Sequence, residues 1–398
     1  AVGMGRGKGR AGLSGARTIG GGRTLGAGGQ RARALQAMGL ARSCTLRKDL
    51  EQGAGSAQRP SFGVAAMQGW RDAMEDAHLA LPDFDAERNI SLFGVFDGHG
   101  GAAVAEIVAE RLPATLRGLA AYVEGRYAAA MTEAFLQLDE YLRTPVGRRA
   151  VQRRGCGEGP DGMGSTAVVA LVVGSPHARQ LFVANAGDSR CVLLEGSRAV
   201  DMSCDHSPTL PAERERIRRA GGTVNREGRV NGNLNLSRAL GDLFYKRNRK
   251  LKPEQQLISG VPEVRQRSLK ADDRYLVLGC DGIWERATSQ KVGSFLLRNV
   301  AGHGQDDVQR PEMLAKACAA FLESNVSKDP LRTEGLGCDN MSLMFVDLFV
   351  PLAAKPPAPA PVAVAPTLAA PLAGLGQVAA LSSLKRRRPC YSRPWLSR

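Results

Sequence analysis

The stretch Ser91-Leu92-Phe93-Gly94-Val95-Phe96-Asp97-Gly98-His99-Gly100-Gly101 governs how the rest of the chain is read: an apolar run of strand type stops at a carboxylate set among glycines. The same grammar returns twice. Leu181-Phe182-Val183-Ala184-Asn185-Ala186 leads into Gly187-Asp188, and Tyr275-Leu276-Val277-Leu278-Gly279-Cys280 leads into Asp281-Gly282. A fourth carboxylate, Asp339 followed by Asn340, opens the apolar run 341–350. Any one Asp-Gly pair is ordinary turn chemistry. Four at strand ends differ, because if those ends meet at one sheet edge, like charges that close cannot all stay ionised without a cation. Ligands that are all oxygen favour hard ions such as Mg²⁺ or Mn²⁺.

Around these runs, further strand-type segments lie at 166–173, 180–185 and 190–194. Apolar residues at helical spacing occupy 102–112, 127–142 and 213–220, the last stopped by Gly221-Gly222. Strands arrive in clusters rather than in strict alternation with helices, which predicts antiparallel sheets covered by helices, an α+β fold, rather than a doubly wound parallel sheet. A mixed-charge segment, Gly69-Trp70-Arg71-Asp72-Ala73-Met74-Glu75-Asp76-Ala77-His78, precedes the first strand-end carboxylate. Read alone it is a surface segment. Its Arg71 could grip an anion through a planar fork, and Glu75 or Asp76 could add a metal ligand. His99, flanked by Asp97 and glycines, could hand a proton to a leaving oxygen. His206, before Ser207-Pro208, reads as a structural turn residue.

The net charge of +15 suggests nucleic acid until it is divided by position. Residues 1–58 carry +8 and residues 351–398 carry +7, leaving 37 basic against 37 acidic residues between 59 and 350. A neutral domain lacks the electrostatic footprint of a nucleic-acid binder, so no nucleic acid is expected on the core. No apolar run approaches the ~18–20 residues a membrane-spanning helix needs. The eight cysteines are scattered without a CxxC pair, which reads as a reducing compartment, cytoplasmic and/or nuclear, and as small buried hydrophobes.

Three parts are expected: a Gly/Arg-rich disordered tail at 1–58, one folded domain at 59–350, and an Ala/Pro-rich linker with a basic tail at 351–398. Three readings of the first tail stay open. It is a plain tail, an Arg-rich organelle transit peptide, or leader sequence ahead of a true start at Met38. In the last case Met38-Gly39-Leu40-Ala41-Arg42-Ser43 fits the N-myristoylation pattern, with weak membrane association as the consequence. At the other end, Lys385-Arg386-Arg387-Arg388-Pro389 reads either as a solvated charge run or as a nuclear import signal.

Taken in order, Gly69-Trp70-Arg71 through His78, Val95 to Gly101, Gly164-Ser165-Thr166-Ala167, Asn185-Ala186-Gly187-Asp188-Ser189-Arg190, Asp205-His206, Arg229-Val230-Asn231-Gly232, Leu236-Ser237-Arg238-Ala239-Leu240-Gly241-Asp242, Cys280-Asp281-Gly282-Ile283-Trp284 and Asp339-Asn340-Met341-Ser342 resemble the motif series of the PP2C (PPM) metal-dependent serine/threonine protein phosphatases. The series spans about residues 61–350, and the whole set in order is very specific. The resemblance implies a β-sandwich of two antiparallel sheets flanked by α-helices, with two Mg²⁺ or Mn²⁺ ions at one edge and a weaker third in some members. It implies that Asp97 bridges both ions, that Asp281 and Asp339 complete one, and that Glu75 and the Gly98 carbonyl serve the other. Asp188 would join Asp281 at the third. Arg71 would hold the phosphate and His99 would be the general acid, with Asp76, Thr166, Glu285 and Asn340 in support.

Phosphoserine and phosphothreonine proteins are the implied substrates, hydrolysed by water that two ions activate, and the enzyme is expected as a monomer. One departure stands out: the family has a second Asp just after Asp281-Gly282-Ile283-Trp284, where this chain has Glu285 and Arg286. Its longer carboxylate is expected still to reach water at the metal site. The competing reading is a pseudophosphatase that keeps the fold as a binding module, against which Asp97, Asp281 and Asp339 are all present. A metal hydrolase or nuclease is a third reading, disfavoured by the neutral domain and by Arg71.

Overall fold

Alternate residues of the strand Ile90–Phe96 face two different apolar layers, and this fixes the architecture. Phe93 and Val95 enter one core with Phe62, Val277 and Phe345, while Leu92 and Phe96 enter a second with Val104, Ile107 and Phe135. A strand buried on both faces must lie between two covering layers. The computed structural model describes residues 27–348 apart from 42, 57–58, 156–158, 176–177 and 302–308. The expected Ala/Pro linker, the basic cluster 385–389 and residues 1–26 lie outside the described residues.

Two antiparallel sheets face each other. The first has six strands in the order β1 (Thr45–Ala54), β2 (Ser61–Gly69), β14 (Met341–Asp347), β13 (Asp273–Gly279), β9 (Arg190–Glu195) and β10 (Arg198–Asp201). The second has five, in the order β12 (Glu263–Ser268), β8 (Gln180–Ala186), β7 (Ala167–Val173), β4 (Ile90–Phe96) and β3 (Ala77–Asp85). Helices Ser289–Val300 and Arg310–Asn325 cover the outer face of the first sheet, and helices Ala103–Arg117 and Tyr127–Arg143 cover the second. The expected α+β sandwich is therefore what the chain adopts. A small third sheet joins β5 (Gly98–His99), β6 (Gly164–Ser165) and β11 (Leu240–Gly241) beside the sandwich edge.

Strand direction gathers the carboxylates. Strands β4 and β8 each pair antiparallel with β7, so they run the same way and Asp97 and Asp188 leave at the same edge. Strands β13 and β14 pair antiparallel, which sets the end of one, leading to Asp281, beside the start of the other, preceded by Asp339.

The amino-terminal boundary differs from the expectation. Residues 27–54, assigned by composition to a disordered tail, carry the helix Ala27–Ala37 and the edge strand β1. Strand β1 pairs with β2 from Lys48↔Met67 to Ala54↔Ser61 although most of its side chains are exposed. The backbone ladder, not side-chain burial, recruits it, so no apolar period betrays it. Leu35 and Leu40 close over Trp70 and Cys338. In this chain Gly39 sits internally in the turn after the helix, at φ 68°, and Leu40 N–H donates to the Leu35 carbonyl at 2.9 Å.

Burying Leu35 and Leu40 stabilises by about 1.5–3 kcal/mol each, and a kilocalorie shifts Tm by about 2–4 °C in a domain of this size. A chain starting at residue 59 is therefore expected to melt at least ~5 °C below one starting at residue 27. Equal melting temperatures would show that helix and β1 add nothing to the fold.

Candidate active site

Each carboxylate is held one step beyond a strand, and hydrogen bonds pin these exits. Asp97 N–H donates to Thr166 Oγ1 at 3.2 Å while Thr166 N–H donates to the Asp97 carbonyl at 2.9 Å. The same Thr166 hydroxyl meets Ser189 Oγ at 2.7 Å, tying the segment after Asp188 to the segment after Asp97. Asn340 does comparable work on the other sheet. Its side-chain amide donates to the carbonyls of Gln68 (2.8 Å) and Ala73 (3.0 Å) and accepts from Glu75 N–H at 2.9 Å, so the loop carrying Arg71, Glu75 and Asp76 is fastened to the residue next to Asp339.

The carboxylates meet as the strand grammar requires. Asp97, Asp188 and Asp281 each offer an oxygen within 4.8 Å of the others. Asp76 approaches Asp97 equally closely, and neither of its buried carboxylate oxygens has a hydrogen-bond partner among the described residues. Asp339 holds the Arg71 guanidinium in an ion pair. Asp97, Asp188, Asp281, Asp339 and Arg71, with Glu75, Gly98 and His99, line a cavity of about 270 Å³. Arg229, Asn235 and Leu236 reach the same cavity from the segment 221–238.

Burial and mutual repulsion raise the whole set. Burial lifts Asp97 well above the ordinary carboxylate range, and Asp281, Asp76, Asp188 and Asp339 push it further. Asp281 is raised by burial and then by Asp188 and Asp339. Burial takes Asp188 to about 7 and Asp76 to about 6. An oxygen-rich cluster with unsatisfied lone pairs and suppressed ionisation fits a hard divalent cation, whose charge would restore the anionic form. Cys280 lies beside Asp76 and Asp97, yet burial raises its thiol well above the usual range, and its Sγ accepts from Ser342 N–H at 3.1 Å. It remains a protonated, soft atom and not a ligand for such an ion.

His99 has a partner that the sequence did not identify. Its Nε2–H donates to Asp242 Oδ2 at 2.8 Å, and the Asp242 side chain is almost wholly buried. Burial draws the imidazole pKa down, but the Asp242 charge and hydrogen bond outweigh it and leave His99 raised. Only glycine fits at the neighbouring position of the third sheet: a Cβ at Gly164 would lie 2.3 Å from Asp242 Oδ2 and 2.5 Å from His99 Nε2. Asp242 itself takes the left-handed conformation, φ 49°, which turns its carboxylate inward. The available signal was Gly241-Asp242, a Gly-Asp pair like Gly187-Asp188.

Glu285 is exposed, and its Oε1 accepts from Gly337 N–H at 2.7 Å, which fastens the loop before Asp339, while its charge still acts on Asp281. His206 is, as expected, structural: buried, with Nδ1 accepting from Gly187 N–H at 3.3 Å.

The sandwich with a carboxylate-lined edge is that of a metal-dependent phosphatase fold, and comparison with known proteins gives the family. Residues 61–329 match the family Protein phosphatase 2C. The chain is 42% identical over 304 residues to Protein phosphatase 2C 1 of Paramecium tetraurelia, covering 76% of this chain and 97% of that one. Probable protein phosphatase 2C 58 of Oryza sativa subsp. japonica is 38% identical over 334 residues, covering 75% and 86%. In structure, the chain resembles a phosphatase from Toxoplasma gondii with a TM-score of 0.59 at 24% identity, over 76% of this chain and 95% of that one. The chain belongs to the protein phosphatase 2C family, whose shared activity is metal-dependent dephosphorylation of serine and threonine in proteins.

Raised carboxylates have a thermodynamic consequence. Because Asp76 and Asp188 bind protons in the folded state up to about 6 and about 7, against ~3.9 when unfolded, their contribution is fully present below about pH 4 and is lost as pH rises through 7. Metal-free protein should therefore lose this contribution between about pH 4 and 7, and Mg²⁺ or Mn²⁺ should raise Tm far more at pH 7.5 than at pH 5. A cation effect independent of pH would contradict the clustering.

Proposed function

We propose that this chain hydrolyses phosphoserine and phosphothreonine with a binuclear Mg²⁺ or Mn²⁺ centre built on Asp97. The observation that carries the reading is the meeting of Asp97, Asp188 and Asp281 within 4.8 Å in a cavity that Arg71 and His99 also line. In this reading Asp97 would serve both ions, Asp281 and Asp339 would complete one, and Glu75 with the Gly98 carbonyl would complete the other. Asp188 and Asp281 would hold a weaker third. When bound, the ions supply an acidified water and offset the charge of the transferring phosphoryl group.

The chain's own residues do the rest. Arg71 presents a guanidinium whose side chain is 47% exposed at the cavity mouth, where it can turn from Asp339 to phosphoryl oxygens and hold them through charge-assisted hydrogen bonds. His99, oriented by Asp242, donates a proton to the seryl or threonyl oxygen as it leaves. Thr166 and Asn340 keep the carboxylates in register. The scattered thiols and the basic cluster at 385–388 support a cytoplasmic or nuclear enzyme.

Phosphate release from a phosphothreonine peptide, measured with Mn²⁺, Mg²⁺ or EDTA, tests this. Asp97→Asn and Asp281→Asn are expected to fold and to lose about 10³-fold or more in kcat, and wild-type turnover in either would remove the metal assignment. His99→Gln and Asp242→Asn should each slow the peptide by about 10²-fold while slowing nitrophenyl phosphate, which needs no proton, by less than about tenfold. Equal losses on both substrates would count against proton donation by His99.

A further inference from the structure

Two chain segments lead away from the His99–Asp242 pair and meet again on the surface. One runs backward from Gly164 to Asp161, three residues away and so within about 11 Å along the backbone. The other runs forward from Asp242 through the turn Leu243–Lys246 to Arg247. They converge where Asp161 takes Arg148 at 2.6 Å and Arg247 at 3.2 Å. One carboxylate thus faces two guanidinium groups. The helix Pro145–Arg154, which supplies Arg148, also carries Arg149, and the loop that follows Arg247 carries Arg249, Lys250 and Lys252, all exposed and without an ion-pair partner among the described residues. The acids met along these segments include Asp161 and, at the far end of the loop, Glu254, which shares a cavity with Glu215 and Arg219 of the helix Pro211–Arg219. In a domain whose basic and acidic residues balance, six cations on one ledge beside the site are a local excess.

The ledge is fixed in shape. Gln256, buried, donates through Nε2 to the carbonyls of Asn248 (2.8 Å) and Leu251 (2.9 Å) and so closes the loop that carries the cations. Phe244, 56% exposed, lies under Arg247 at 4.7 Å and gives the ledge an apolar floor.

We propose that this ledge reads acidic side chains of the phosphoprotein substrate, a few residues from the phosphorylated serine or threonine. The inference rests on the phosphatase reading and deepens it by naming a substrate class. An extended peptide advances ~3.3 Å per residue, so a ledge that begins within about 11 Å of the site meets residues roughly three to six positions from the reacting one. Complementary charge names the occupant. Residues 1–26 and 349–398 contain no Asp or Glu and so do not provide it.

The test uses the full chain and two phosphothreonine peptides that differ only in Glu or Lys at positions three to six on either side of the phosphothreonine. At low salt, where exposed charges are least screened, kcat/KM should favour the acidic peptide by about tenfold. Arg249→Glu/Lys250→Glu/Lys252→Glu should bring that ratio to about one or invert it, the corresponding triple alanine variant should give an intermediate ratio, and turnover of nitrophenyl phosphate should be retained as the check on folding. An unchanged ratio in the reversed chain would overturn the proposal while leaving the phosphatase reading intact. Absence of turnover on every substrate would remove that reading instead. In that event, anisotropy of a fluorescent acidic phosphopeptide still reads the ledge, with binding lost on reversal in support and binding unchanged against it. Loss of single-stranded DNA binding on reversal, with the peptide ratio unmoved, would reassign the ledge to nucleic acid.

Discussion

Mutual repulsion among buried carboxylates is the constraint on which this structure turns. Asp76, Asp97, Asp188 and Asp281 are drawn to one edge by strand direction, and each is pushed toward its neutral form there. A sheet edge does not hold such a cluster by itself. The hold comes from the two apolar layers that bury β4, β7 and β8 on both faces, and from the side chains of Thr166 and Asn340, which hold backbone groups of Asp97 and of the loop that carries Glu75. The core therefore supplies the rigidity that keeps like charges together, and a divalent cation is the natural relief of the repulsion.

The sandwich and most of the site were legible because both depend on short-range patterns. Strand-end aspartates beside glycine mark where a chain leaves a sheet, and the full alternation of Phe93, Val95, Leu92 and Phe96 follows from a continuous apolar run. What escaped notice depends on partners distant in sequence. Strand β1 is exposed along most of its length and exists because β2 offers a ladder. Strand β12, Glu263–Ser268, is a polar edge strand held by β8, and the helix Pro145–Arg154 is strongly polar with only Gly147 and Val151 buried. Asp242 lies within one of the sequence motifs, but it is its left-handed backbone and the gap at Gly164 that bring it to His99. Glu285 gains a partner that its residue type alone does not announce, the backbone N–H of Gly337.

The third sheet links chemistry to surface. Strands β5, β6 and β11 are each two residues long, yet they place His99, Gly164 and Gly241 side by side and leave Asp161 and Arg247 on the flanks. The buried Lys246–Asp139 ion pair, 2.7 Å, anchors this segment to the helix Tyr127–Arg143, and Asp139 also accepts from Gly241 N–H at 2.9 Å. Proton donor, its orienting carboxylate and the neighbouring cationic ledge thus share one scaffold, so a change in that anchor would reach all three.

The central claim is that the carboxylate edge is a two-cation site, and anomalous diffraction from crystals grown with Mn²⁺ tests it most directly. Two peaks about 3.5–4 Å apart, both touching Asp97 and one reached by Asp281 and Asp339, are the expected result. Mn²⁺ density lying elsewhere, or none at Asp97 in crystals that hold Mn²⁺ in solution, would contradict the account.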